Sequence, residues 1–243
     1  MTAKRAWASS LARRYARHRL RRDIDGVFVD GLDAVRAVVA ERPVIFACNH
    51  VSWWDAFMLV TVDAAIDGGG HAVMDEANLR RLPFFAAIGA VPIDRRGGPQ
   101  LRRQLAAAAA TLSGPRTSLW VFPQGRQRAA HLRPLGLEPG LRLIARRSGA
   151  AVVPVSLAYP WREAPRPSLA VAFHDVVDGG RADLLDVVEA AIVAGLERID
   201  LAVDVTGAPG GIELIGAPKR KGPQDGLGAR LLARLLAPST GDR

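Results

Sequence analysis

The chain is poor in several things that would otherwise decide its class. Among 243 residues there is one cysteine, Cys48. No intramolecular disulfide can form, and no C-x-x-C knuckle exists to hold a structural metal. The five histidines show no H-x-x-x-H spacing, so no metal site is expected. There is no G-x-S-x-G elbow, which disfavours an α/β-hydrolase. Long apolar runs are also missing. The longest, Val44–Ile66, is broken by Asn49, His50, Asp55 and Asp63, and four such groups in hydrocarbon are too costly for a membrane-spanning helix. The N-terminus lacks the continuous apolar core of a secretory signal. Lysine is scarce as well, with 3 against 30 arginines. An arginine-rich, acid-free N-terminus would also suit a transit peptide, but arginine is the habit of the whole chain.

What is present is a net charge of +9, unevenly placed. Residues 1–22 hold eight basic side chains and no acid. Residues 23–215 hold 19 basic and 22 acidic side chains, and residues 216–243 six basic and two acidic. A slightly acidic body with cationic ends does not fit nucleic-acid binding, which asks for a basic face. It fits contact with an anionic membrane surface. Within residues 1–22, Trp7, Leu11 and Tyr15 recur at helical spacing, with Ala8 and Ala12 beside them and arginines around the rest. This predicts an amphipathic helix, either lying at a membrane interface or packed on the domain. A second leucine stripe, Leu227–Leu236, follows a Gly/Pro/Lys-rich stretch from Gly207 that reads as a linker. The chain thus divides into a basic helix (1–22), a domain (23–206), and a linker with a C-terminal amphipathic helix (207–243).

Between the ends, short apolar runs alternate with helical patterns. Strands are predicted at Val27–Asp30, Pro43–Cys48, Ala72–Met74, Ala90–Asp94, Thr117–Phe122, Ala151–Ala158 and Leu169–Phe173. Helices are predicted at Leu32–Ala40, Ser52–Ala65, Glu76–Ile88, Pro99–Leu112, Pro139–Ser148 and Asp183–Ile199. The pattern is that of a single α/β domain with a mostly parallel central sheet flanked by helices. Chemistry in such folds gathers past the C-terminal ends of strands. There the chain reads Asn49-His50-Val51-Ser52-Trp53-Trp54-Asp55, with Ser52 a natural N-cap and Asp55 in the first helical turn. A loop histidine and a carboxylate one turn into the helix can face each other as base and orienting partner. Taken alone, the same pair also suits a helix cap beside an ordinary loop histidine.

Asn49-His50-x-Ser52-x-x-Asp55 resembles the first block, H-x-x-x-x-D, of the glycerolphosphate/lysophosphatidate acyltransferase superfamily. Three more blocks follow in order. Gly89-Ala90-Val91-Pro92-Ile93-Asp94-Arg95 is similar to G-x-x-F-I-x-R, Val121-Phe122-Pro123-Gln124-Gly125-Arg126 to F-P-E-G-T-R, and Val153-Pro154-Val155 to the V-P-V strand. The resemblance spans residues 27–160. It implies acyl transfer from a thioester, acyl-CoA or acyl-carrier protein, to a hydroxyl of a lysophospholipid or glycerol-phosphate-like acceptor, without a cofactor and without an acyl-enzyme. His50 would be the general base and Asp55 its partner, with Asn49, Arg95, Gln124, Gly125, Arg126 and Arg128 around the substrate. Together with the cationic amphipathic ends, this leads to the expectation of a cytoplasmic protein, peripheral on the inner face of the cell membrane. The third block departs from the pattern, since Gln124 stands where the family has glutamate and Arg126 comes one position early. A non-phosphate acceptor such as a glycolipid, or a lipid-binding homologue without turnover, therefore stays open. Cys48 beside His50 invites a thiol-nucleophile reading, but strand alternation is expected to point it away from the His50 side chain.

Overall fold

The computed structural model describes residues 4–161 and 164–216. The predicted C-terminal helix lies outside these residues. Eight strands form one sheet: β1 (Val27–Asp30), β2 (Val44–Cys48), β3 (His71–Asp75), β4 (Ala90–Ile93), β5 (Ser118–Val121), β6 (Ala151–Ala158), β7 (Leu169–Phe173) and β8 (Ile212–Ile215). Their spatial order is β4-β3-β5-β2-β6-β7-β1-β8. The first five run parallel, β7 is antiparallel to β6, β1 is parallel to β7, and β8 is antiparallel to β1. The parallel block brings the C-terminal ends of β2, β4, β5 and β6 to the same sheet edge, where the four sequence blocks lie.

The helices are α1 (Ala6–Asp23), α2 (Leu32–Glu41), α3 (Asp55–Ile66), α4 (Glu76–Arg81), α5 (Phe84–Ala87), α6 (Gly98–Ala109), α7 (Gly140–Ser148) and α8 (Leu184–Thr206). β2 shows why both sheet faces are covered. All five of its residues are buried, and they alternate between two cores. Val44, Phe46 and Cys48 join the core with Leu20 of α1, Val35 of α2 and Met58 of α3. Ile45 and Ala47 join the other, with Ala108 of α6, Ile144 of α7 and Ile192 of α8. A strand buried on both faces reads as an unbroken apolar run because neither set of side chains meets water.

The structure departs from the sequence expectation at four places. The helix predicted over 76–88 is two pieces, α4 and α5, with Pro83 between them. α8 continues two turns past Ile199, to Gly207 in the left-handed conformation. The stretch read as linker from Gly207 contains β8, which extends the sheet beyond the expected domain end at 206. In the N-terminal helix, the buried face is Ala8, Ala12, Ala16 and Leu20, while Trp7, Leu11 and Tyr15 are more than half exposed. Small residues let α1 approach α3 closely, so the helix docks through its alanines and leaves its large apolar stripe in solvent.

A serine–histidine pair lies under α8, its serine directly after Val155 on β6. Ser156 Oγ donates to the carbonyl of Ile192 at 2.8 Å and lies 2.7 Å from His174 Nε2. With its own proton committed, the serine accepts from Nε2–H. His174 Nδ1 then faces Arg198 Nη2 at 3.3 Å. Burial, reinforced by Arg198, lowers His174 to a pKa of about 4 and keeps it neutral. The pair is a satisfied internal bridge, because the histidine cannot take a proton already given to a carbonyl. It exists only because α8 carries Gly195 there. A methyl group at that position would lie 2.3 Å from both Ser156 Oγ and the His174 ring. Gly195→Ala gains about 1 kcal/mol of helix propensity, but overpacking a buried contact costs typically 1–3 kcal/mol or more. The variant should be net destabilised, seen as a lower denaturation midpoint in urea with an unchanged slope.

Candidate active site

The site is built on the turn after β2. The backbone N–H of His50 donates to Gln124 Oε1 at 2.8 Å, and the carbonyl of His50 accepts from the N–H of Arg128, also at 2.8 Å. Both backbone groups of the histidine are thus held by the loop after β5. The imidazole stacks on Phe122, with ring centroids 4.5 Å apart. Its Nδ1 lies 2.5 Å from Asp55 Oδ2. Among the described residues no hydrogen bond engages Nε2, and the histidine side chain is 25% exposed whereas that of Asp55 is 1% exposed. The arrangement gives an imidazole whose inner nitrogen is fixed to a carboxylate and whose outer nitrogen faces outward.

Asp55 is the first residue of α3, with Trp54 at the N-cap position, so it lies earlier in the helix than the sequence indicated. Its Oδ2 accepts from the backbone N–H of Val51 at 2.9 Å and of Ser52 at 3.1 Å, besides His50. Its Oδ1 accepts from the hydroxyl of Tyr159 at 2.8 Å. Ser52 Oγ takes the N–H of Trp54 at 3.3 Å. The hydroxyl therefore serves the turn, as a capping serine would.

The remaining predicted site residues divide by task. Asn49 is 1% exposed, and its amide is turned to β6: Nδ2 donates to the carbonyl of Leu157 at 2.9 Å and Oδ1 accepts from the N–H of Leu157 at 2.8 Å. β2 ends one residue earlier, so this side chain continues the ladder to β6. Gln124 is likewise buried. Besides holding His50, it donates from Nε2 to the carbonyl of Leu135 at 3.2 Å. Asn49 and Gln124, expected at the substrate, thus spend their amides on the chain itself. Arg128 sends Nη1 to the carbonyls of Pro134 and Leu135, at 3.1 and 2.6 Å. Gly125 takes a φ of +65°, and a side chain there would collide with Glu138.

Two arginines remain toward solvent. Arg95 follows β4, and its Nη2 lies 3.5 Å from Glu138 Oε1. Arg126 is exposed, with no hydrogen bond or ion pair among the described residues. Arg96 is committed to Asp94, with contacts of 2.8–3.2 Å that hold the carboxyl at about 2.

Cys48 belongs to the α3 side of the sheet, within electrostatic reach of Asp55. The expectation that it points away is therefore not what excludes it. Burial, and secondarily the Asp55 charge, push its thiol well above the ordinary range, so no thiolate nucleophile is available. Sequence reasoning missed Tyr159 and Glu138. Tyr159 stands directly after β6, where the strand-end rule would have found it. Glu138 lies 43 residues from Arg95 and is brought to it only by the fold.

Comparisons with known proteins bear on the family and the fold. The profile of the Acyltransferase family matches residues 26–158, from just before β1 to the end of β6. Among solved structures, the crystal structure of PlsC, the 1-acyl-sn-glycerophosphate (LPA) acyltransferase of Thermotoga maritima, superposes with a TM-score of 0.59. The two share 17% identity over 79% of each chain, a likeness of fold. No curated protein matches the chain. The family profile covers more than half of the sequence and takes in the His50 turn and both strands that brace it, and the chain belongs to the acyltransferase family.

Proposed function

We propose that the protein moves a fatty acyl chain from an acyl thioester, acyl-CoA or acyl-carrier protein, to a hydroxyl of a lysophospholipid or glycerol-phosphate-like acceptor, with His50 as general base. The observation that carries this reading is the 2.5 Å contact between His50 Nδ1 and a buried Asp55, with Nε2 left open. A free alcohol is a weak nucleophile at neutral pH. Nε2 takes the hydroxyl proton as the oxygen attacks the thioester carbonyl, and Asp55 stabilises the imidazolium that results. The tetrahedral intermediate collapses with cleavage of the C–S bond. The imidazolium returns its proton to the departing thiolate, so ester and thiol are formed and the base is restored. No acyl-enzyme is needed, in keeping with a protonated Cys48.

Arg95 and Arg126 are the cations open to an anionic head group. A second reading, transfer to a non-phosphate acceptor such as a glycolipid, is favoured by Arg128. Its guanidinium is spent on loop carbonyls, so the loop after β5 offers less positive charge to a substrate than its sequence promises. An acceptor screen with lysophosphatidate, other lysolipids and glycolipids, following thiol release from acyl-CoA, separates the two. In His50→Ala, acceptor-dependent thiol release should fall about 10²–10⁴-fold while circular dichroism stays native. A folded His50→Ala variant with full activity would rule the mechanism out.

We further propose that α1 seats the protein on the anionic inner face of the cell membrane. No described helix is long and apolar enough to cross a membrane. Trp7 and Trp53 are each 60% exposed, and Leu11 and Tyr15 are also open. Tyr15 meets Phe57 at 5.9 Å, and Phe57 meets Trp53 at 4.9 Å, so the stripe of α1 runs into the aromatic cluster after His50. Arg19 lies among these rings, 5.1 Å from Trp54 and 5.7 Å from Trp53. Wet aromatics flanked by arginines suit a lipid interface. Deleting residues 1–22 would also strip Ala8, Ala12, Ala16 and Leu20 from the core, so point changes are the cleaner test. A Trp7→Ser, Leu11→Ser double variant should fold normally and lose about tenfold or more in affinity for vesicles containing anionic lipid. Undiminished binding would leave α1 as a purely structural helix.

A further inference from the structure

We propose that Tyr159 is a positioning residue for the base, setting the orientation and charge of Asp55 and through it the proton affinity of His50. The inference rests on the reading of His50 and Asp55 just given.

The four donors around Asp55 are unequally divided. Oδ2 collects His50 Nδ1, Val51 N and Ser52 N. Oδ1 has a single donor among the described residues, the Tyr159 hydroxyl at 2.8 Å. With the carboxylate 1% exposed, water does not stand in for it. The titratable groups that face Asp55 are His50 from the β2–α3 turn, Tyr159 from the end of β6, and Cys48 from β2. Cys48 does not compete for Oδ1, because its thiol is directed to the carbonyl of Asn49 at 3.3 Å. Burial, followed by the Asp55 charge, raises the phenol far above its ordinary value, so it donates at every working pH.

Tyr159 is itself fixed. Leu157, two residues earlier, is clamped on both backbone groups by Asn49. The ring packs against the core on the α3 side. The first block thus holds the strand end that delivers the phenol to the carboxylate of that same block. Physically the donation does two things. It fixes the carboxylate so that Oδ2 faces Nδ1, and it draws negative charge toward Oδ1. A carboxylate relieved of part of its charge raises the basicity of the imidazole less than a bare one does. A residue needed only for packing would do neither.

The test reads His50 directly, without turnover. Histidine ¹⁵N resonances of the full chain are titrated by NMR, with His50 assigned by its loss in His50→Gln. Tyr159→Phe keeps the ring and removes the donor, and the His50 titration should move upward. The opposite perturbation uses 3-fluorotyrosine, a more acidic phenol and stronger donor. The chain has two tyrosines, so global labelling in a Tyr15→Phe background places the label at Tyr159 alone, and the titration should move down. If Tyr159→Phe does not fold, the fluorinated protein still decides the question. An upward shift in Tyr159→Phe with a downward shift in the fluorinated protein, or the downward shift alone where the first is unfolded, supports the proposal, and the reverse pattern overturns it. Superimposed titrations or shifts of the same sign overturn it. With acyl-CoA and the acceptor found in the screen, Tyr159→Phe should lower kcat several-fold at unchanged KM for the thioester. An inactive wild type would count against the acyltransferase mechanism, whereas an active, His50-dependent wild type with indifferent Tyr159 variants would count against this inference alone.

Discussion

The buried carboxylate of Asp55 is the constraint on which the site depends. An ionised carboxylate at 1% exposure is tolerable only when its oxygens are supplied with donors. Here the donors come from three directions: the imidazole, two backbone N–H groups of the turn, and a phenol from another strand. Satisfying the charge therefore folds the Val51–Ser52 turn around it, which is what carries His50 into line. The orientation of the imidazole and the solvation of the carboxylate are thus one arrangement.

Asn49 and Gln124 extend the same logic outward. Each is buried, and each joins the turn to a neighbouring strand or its following loop through both ends of a side-chain amide. An amide suits this task because it both donates and accepts. At position 124, a carboxylate could hold the His50 N–H but could not donate to the Leu135 carbonyl. The glutamine that looked like a lost functional group in the third block is thus matched to its own surroundings. Removing either partner of such a buried pair costs about 1–3 kcal/mol for each group left unpaired, so these residues shape the site by holding it still.

Much of this was readable from the chain, and the limits have physical causes. β2 was plain because burial on both faces leaves an unbroken apolar run. β6 and β7 were read to the residue, since strands in the sheet interior carry little but apolar side chains. β8 was hidden, because an edge strand of four residues after a Gly-rich turn shows too little periodicity. The amphipathic stripe of α1 was visible, but its direction was not. Hydrophobicity ranks Trp7, Leu11 and Tyr15 above alanine, whereas close helix packing selects the alanines. The His50–Asp55 spacing was local and could be read. The contacts of Tyr159 and Glu138 join residues 104 and 43 positions apart, and no single-chain pattern encodes them.

The same magnitudes bear on the acceptor. Arg95 and Glu138 are 44% and 56% exposed and 3.5 Å apart. A pair this open contributes at most about 1 kcal/mol. A phosphate could take the guanidinium from Glu138 at little expense, and a bidentate contact with the anion would more than offset the loss. Glu138 therefore trims the affinity of Arg95 for an anion without blocking it. Arg128 is different. Its contacts reach the carbonyl of Leu135, which Gln124 also serves, so turning it to a substrate would loosen the loop that holds His50. Of the three arginines predicted at the substrate, Arg95 and Arg126 lie toward solvent and Arg128 is tied to the loop that holds His50. An anionic acceptor would therefore meet Arg95 and Arg126, on the solvent side of the site, while Gln124 and Arg128 are spent on holding the loop still.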